Sequence, residues 1–331
     1  IQRNGHMKKF LLWVITLWLI IFALPFLAVS VKKGADTSEK GQKNQADIDM
    51  GKEISVYLAD SGKCVTMPFE EYITGVVCAE MPALFEVEAI KAQAVAARTY
   101  TVSKINANAN DLQDAHKGAS ICTSPSHCQA YVPKEEISKK WGNNAEEFYN
   151  KIKSAVLDTK GEILTYQNEP IRAVFHSSNS GRTENASDVW GGDFPYLKSV
   201  ESFGEDLSPK FLTEYTVDYK VFCDTVKKEY PDADLSKFVG DISRTEGGAV
   251  DTIEIFGVKI KGTKMRSMFI LKSANFDIKK DGETVIFTVH GYGHGVGMSQ
   301  YGANYMASQG KNYAEILAVY YNGAQISMYN P

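Results

Sequence analysis

The sequence predicts an α+β fold of mixed helices and short antiparallel strands. Three observations carry this. Residues 86–105 are rich in alanine and repeat their apolar positions (Val87, Ile90, Ala94, Ala97, Thr101, Ile105) every three or four residues, the pattern of a helix. Two pairs of short β-rich runs close on turn residues, Asn168-Glu169-Pro170 and Asp281-Gly282. Strands and helices do not alternate in a βαβ rhythm, and no repeat of ~20–50 residues is visible.

From the amino end, residues 10–31 run 22 positions without a charge between Lys8-Lys9 and Lys32-Lys33. A helix of ~20 apolar residues crosses a bilayer core, so one N-terminal transmembrane helix is expected. A cleaved signal peptide is the competing reading, because Ala28-Val29-Ser30 offers small residues for cleavage. The run exceeds the ~7–15 residues of an ordinary signal core, which favours an uncleaved anchor. Either reading places the body outside the cytoplasm. Residues 1–9 then form a cytoplasmic end, with Met7 as natural start and 1–6 as upstream or vector-derived residues. Residues 32–50 hold almost nothing to bury and read as a solvated linker. Residues 51–331 are the working domain, and at ~150 residues per domain they predict two subdomains.

Within that body, short strands are expected at 54–59 and 64–67, a helix at 70–77 and a break at Pro82. Residues 106–133 read as irregular, and a second amphipathic helix spans 145–157, ending near Gly161. Runs 163–167 and 171–176 read as one hairpin and 179–190 as a polar loop. A hairpin of 275–279 with 284–289 and helices at 298–308 and 313–321 complete the chain.

Composition narrows the function classes. With 44% hydrophobic and 23% charged residues, the chain is neither disordered nor collagenous, and 5 Cys cannot build a disulfide framework. Residues 1–33 carry five basic and no acidic side chains, so subtracting them from the net −4 leaves −9 for residues 34–331. An acidic body argues against a nucleic-acid binder, which needs Lys/Arg surfaces to meet phosphates.

Two stretches carry chemistry. Glu80 sits in Val76-Val77-Cys78-Ala79-Glu80-Met81-Pro82-Ala83, apolar on both sides. Lost hydration raises a carboxylic acid's pKa and keeps it protonated near neutrality, the state of a general acid. A partly exposed glutamate near a helix end is the plain alternative. In HGYGHGVGMSQYGA the glycines at 291, 293, 295, 297 and 302 forbid a regular helix through His290 and His294 and exclude a zinc HExxH helix. The alternating glycines would let backbone approach a ligand while His294, Ser299, Gln300 and Tyr301 supply polar groups. A tight structural turn is the alternative.

His116, Cys122, His127 and Cys128 place four metal-ligand types in 13 residues. Cys₂His₂ is a complete tetrahedral zinc set. A Cys122–Cys128 disulfide is the competing reading in an oxidising compartment. Because His127 and Cys128 are adjacent, a three-ligand site of His116, Cys122 and Cys128 with water is a further variant. Cys64, Cys78 and Cys223 have no evident partners.

Three blocks, EYITGVVCAEMPALFEVEAIKAQAVAARTYT, AVFHSSNSGRTENASDVWGG and HGYGHGVGMSQYGANYMASQGKNYAEILAVYYNGA, resemble the stage II sporulation protein D (SpoIID) family in their order and content. The resemblance implies a peptidoglycan lytic transglycosylase that cleaves the MurNAc–GlcNAc bond and leaves 1,6-anhydro-MurNAc ends. It puts the family's catalytic glutamate on Glu80. It makes His176, Ser177, Ser178 and Arg182 groove candidates beside His294, Ser299, Gln300 and Tyr301. Arg98 and Tyr100 stand equally for substrate contact or packing. His176 cannot simply activate Ser177, since adjacent strand residues face opposite sides. The resemblance also favours Zn²⁺ over the disulfide. It implies work in forespore engulfment at the mother-cell membrane, on glycan strands stripped of peptide by a partner cell-wall amidase, alongside an integral membrane protein. No convincing second carboxylate is found: Glu70 and Glu71 lie on one helical stretch but read equally well as solvated charges. Two rivals remain: a zinc peptidoglycan amidase and a non-catalytic enhancer of a partner amidase.

Overall fold

The computed structural model describes residues 53–107 and 115–329. The expected anchor and linker, 10–31 and 32–50, lie outside the described residues. No described helix is long and apolar enough to cross a membrane.

A hairpin of β1 (Glu53–Leu58) and β2 (Lys63–Pro68) leads into helices α1 (Phe69–Glu80) and α2 (Val87–Ala107). Strand β3 (Ile121–Cys122), the short α3 (Ile137–Trp141), and α4 (Ala145–Asp158) follow. Next come β4 (Glu162–Tyr166), β5 (Glu169–Pro170), β6 (Phe175–His176) and a short helix, α5 (Ala186–Trp190). The middle of the chain is β7 (Leu212–Asp218), α6 (Tyr219–Glu229), β8 (Val239–Arg244), β9 (Val250–Ile255) and β10 (Val258–Lys261). It continues through α7 (Gly262–Phe269), β11 (Phe276–Asp281) and β12 (Thr284–His290). The last elements are β13 (Met298–Ser299), α8 (Gln300–Ser308), α9 (Tyr313–Tyr320) and β14 (Gln325–Met328). The sheets are small, and their pairings are antiparallel except for β1 with β3 and β6 with β13. The α+β class is as expected.

Helix α2 is the hub. Its alanines leave room for α1, α4, α8 and α9 to pack around it. Burial extends to Gln93, Arg98, Thr99 and Thr101, so the helix is enclosed on nearly all sides. A separate apolar cluster joins β7, α6 and β8 to β12, where Phe222 stacks on Phe269 with ring centroids 4.9 Å apart.

The expected hairpin of 163–176 is shorter than its sequence implies. Gln167 and Asn168 take φ of 53° and 64°, forming a two-residue turn, and only Glu169-Pro170 pairs back on β4. Pro170 has no N–H to continue the ladder. Phe175-His176 instead pairs in parallel with Met298-Ser299. That pairing also makes α8 begin at Gln300, two residues later than expected, and it joins the second and third sequence blocks side by side.

Candidate active site

Glu80 is the last residue of α1 and faces a cleft of about 550 Å³. The cleft is lined by Tyr100 from α2, Cys128 and Gln129 from the loop after β3, His176 of β6 and the Ser177 that follows it, Tyr292 to His294, and Gln300 from α8. Oε1 of Glu80 accepts a 3.0 Å hydrogen bond from the Ala130 N–H. Burial raises the pKa of Glu80, while the Ala130 amide and the Lys140 ammonium pull it back only in part. Lys140 is fixed behind the glutamate because its Nζ donates to the last carbonyls of α1, Cys78 (2.6 Å) and Ala79 (3.0 Å). Among the described lining residues, Glu80 is the single carboxylate.

His176 has both ring nitrogens committed. Asn179 Oδ1 accepts from Gly181 N–H (2.8 Å), which orients its amide to donate to Glu205 (3.1 Å) and to His176 Nε2 (3.2 Å). His176 Nδ1–H must then donate to Val296 O (3.1 Å). Burial lowers its pKa to about 4, so it is a neutral pin between β6 and the glycine-rich segment. His294 is likewise neutral, lowered to about 3 by burial with help from His176 and Arg266. Its Nδ1 accepts from Val296 N–H, and its ring meets Trp190 at 5.0 Å.

The glycine-rich segment winds through positive φ at 291, 293, 295 and 297. At Gly293, φ is +125° and a Cβ would stand 2.6 Å from that of His176. Glycine is needed there both for the dihedral and for the close approach. Gly302 lies inside α8, within the helix expected at 298–308, and its bare Cα lets Tyr320 and Ser202 pack against it.

Tyr100, His176, Ser177, His294 and Gln300 are thus brought to the glutamate. Other candidates are not. Arg98 is fully buried and bonds Glu70 through Nε (2.9 Å) and Nη2 (2.7 Å), so it is a packing residue. Glu70 is correspondingly no solvated charge. Ser299 is buried and caps α8, accepting from Gly302 N–H and donating to Glu205. Ser178 and Arg182 line a different, smaller cavity, where Arg182 pairs with Glu246 at 2.6 Å. Tyr301 packs edge-on against Phe85 rather than lining the cleft. Sequence reasoning missed Lys140, Gln129, the Ala130 amide and Tyr292 with Lys210 above its ring. Tyr292 lay inside the glycine-rich block; Lys140 carried no local signal.

All four residues of the histidine–cysteine set converge, with one donor atom from each within 4.8 Å of the others. His116 Nε2 lies 3.2 Å from both Cys128 Sγ and His127 Nδ1, and His127 Nδ1 lies 3.5 Å from Cys122 Sγ. The adjacency of His127 and Cys128 does not keep either away. Cys122 and Cys128 are unbridged. Burial lowers both imidazoles' pKa values and pushes the Cys128 thiol up to about 12.

The glutamate cleft and the parallel β6–β13 pairing bring the three sequence blocks together at one site, with the four-donor cluster beside it. Residues 58–166 match the SpoIID family model, described as stage II sporulation protein. The chain is 41% identical over 320 residues to stage II sporulation protein D of Bacillus amyloliquefaciens, covering 93% of this chain and 90% of the relative. It is 40% identical over 336 residues to stage II sporulation protein D of Bacillus subtilis, covering 97% and 96%. An amidase enhancer of Bacillus subtilis is 29% identical over 309 residues, 78% of this chain and 40% of that protein. The chain belongs to the stage II sporulation protein D family.

Proposed function

We propose that the chain is a peptidoglycan lytic transglycosylase with Glu80 as its acid and then its base. The carrying observation is one half-buried glutamate with a raised pKa in a cleft that holds no second carboxylate among its described lining residues. Hydrolases of glycosidic bonds use two carboxyl groups, one of them to handle water or form a covalent intermediate. With one, the chemistry closes internally. Glu80–COOH gives its proton to the glycosidic oxygen as the C1–O bond breaks. The resulting carboxylate takes the proton of the C6 hydroxyl of the same muramic acid. O6 then bonds to C1, giving the anhydro end and returning Glu80 to its acid form.

The residues of the four-donor cluster fit Zn²⁺. Zinc bonds of ~2.0 Å to nitrogen and ~2.3 Å to sulfur at tetrahedral angles put neighbouring donors about 3.3–3.8 Å apart, close to the spacings here. A filled four-donor set is a structural site, which disfavours a zinc amidase needing an open position. The ion would hold the loop that carries Gln129 and Ala130 to the glutamate. An N-terminal anchor would keep the cleft facing the wall between mother cell and forespore, with a partner amidase supplying stripped strands. The relative named as an amidase enhancer favours a second reading, a non-catalytic helper.

The test is digestion of peptide-stripped glycan by the full chain in detergent beside Glu80→Gln, with products read by mass spectrometry. Anhydro ends from the parent alone support the proposal. Ends carrying added water would replace it with a hydrolase. Intact strands, together with an unchanged boost to a partner amidase by Glu80→Gln, would promote the helper.

A further inference from the structure

A second chamber of about 360 Å³ adjoins the glutamate cleft, sharing Tyr100 and Val174 as a common wall. Its chemistry differs from the cleft. Lys104 from α2 and Arg172 both line it, and among the described residues neither makes an ion pair. Both cations line one chamber of a body whose net charge is −9 over residues 34–331. The chamber is also lined by the aromatic rings of Tyr100, Trp190 and Phe194. The Arg172 guanidinium lies 5.1 Å from the Phe194 ring centroid, a cation–π contact. Trp190 is 50% exposed and bridges the chamber to the cleft through its contact with His294.

Aromatic faces stack on sugar rings, and a guanidinium and an ammonium lining one chamber call for a carboxylate. The geometry points to a subsite for a carboxylate-bearing sugar, in which Arg172 and Lys104 bind the free lactyl carboxylate of a peptide-stripped muramic acid and Trp190 takes the ring. This rests on the glycan reading of the Glu80 cleft and adds to it the residues that select the stripped strand. A stem peptide would convert that carboxylate to an amide and remove the charge the pair reads.

The experiment measures binding by calorimetry to the full chain carrying Glu80→Gln in detergent, so that no turnover occurs. The probes are a peptide-free GlcNAc–MurNAc tetrasaccharide, the same tetrasaccharide with its carboxylates reduced to alcohols, and its stem-peptide-bearing form. The peptide-free probe should bind about tenfold tighter than the reduced one. Adding Arg172→Gln or Lys104→Gln should erase that preference, and Arg172→Lys should restore part of it. Equal affinity for the charged and reduced probes, or equal loss of both in the variants, overturns the subsite. Binding of the peptide-bearing form as tightly as the stripped one overturns the lactyl assignment. A carboxylate preference without anhydro products from the parent leaves the subsite standing and removes the transglycosylase. Anhydro products released alike from charged and reduced strands do the reverse.

Discussion

The Ala130 amide donates to Glu80 Oε1 at 3.0 Å, and Cys128, two residues earlier on the same loop, stands 3.2 Å from His116 in the four-donor cluster. The loop that fixes the acid is therefore held by the cluster. One zinc per chain is expected by elemental analysis, lost in Cys122→Ala and Cys128→Ala. Chelation should lower the melting temperature and the lytic rate together. Co²⁺ or Cd²⁺ should restore both, since a structural ion needs only the right geometry. Restoration of folding without activity would show that the ion does more than hold the loop.

Glu80 links activity and stability with opposite signs. Its folded pKa is raised, so its favourable contribution is present below the ordinary carboxylate range and is lost as pH rises through the folded value. Toward neutrality the raised pKa costs stability, because the unfolded chain gives up this proton more readily than the folded one. Glu80→Gln should abolish anhydro-end formation yet raise the melting temperature at pH 7, with the gain vanishing toward pH ~4. A loss of melting temperature at pH 7 would contradict the burial argument.

Lys140 tests the same electrostatics from behind. Its ammonium lowers the Glu80 pKa and bonds the end of α1. Lys140→Met should move the alkaline limb of the rate–pH profile upward, because the acid then keeps its proton to higher pH. Loss of the helix-end bonds should lower the melting temperature as well, so the shifted limb is the reading that separates the electrostatic effect from plain destabilisation.

Local patterns made much of this legible. Glu80 stands out by its apolar neighbours, the long helix by its alanines, and the histidine–cysteine cluster by four ligand-type side chains within 13 residues. The failures share one cause, that partners distant in sequence decide a side chain's role. Ser299 reads as a groove hydroxyl until Glu205 and the α8 amides claim it. His176 reads as a polar ligand until Asn179 and Val296 take both nitrogens. The hairpin at 163–176 exists, but its turn is Gln167-Asn168 rather than Asn168-Glu169-Pro170, and the pairing of its far end with Met298-Ser299 spans more than a hundred residues, beyond any window of local periodicity.

Arg98 and Glu70 give the sharpest case, because a glutamate that reads as solvated and an arginine that reads equally as groove or packing residue form a buried ion pair in the helical core. Arg98 also donates to the carbonyls of Glu162 (3.0 Å) and Val156 (3.1 Å), tying α2 to α4 and β4. Removing one partner leaves an uncompensated buried charge, worth about 3–5 kcal/mol. Arg98→Met and Glu70→Gln should each lose about that much in urea denaturation. The double variant Glu70→Met/Arg98→Met should recover a substantial part. Additive losses in the double variant would show that the pair contributes nothing beyond its separate contacts.

The glycine-rich segment permits a controlled comparison between strain and contact. Gly310 has φ of +86° and nothing within 4 Å of a built Cβ, so Gly310→Ala meets backbone strain alone. Gly293→Ala meets a similarly disfavoured dihedral together with the His176 Cβ at 2.6 Å. Left-handed strain costs of order 1–3 kcal/mol, which both variants should show in denaturation. Only Gly293→Ala must also push Tyr292 and His294 away from β6, and both line the glutamate cleft. It should lose most lytic activity and weaken glycan binding, while Gly310→Ala keeps its activity at temperatures where it is folded. Equal activity in the two would mean that the close approach of Gly293 to His176 is not what shapes the cleft.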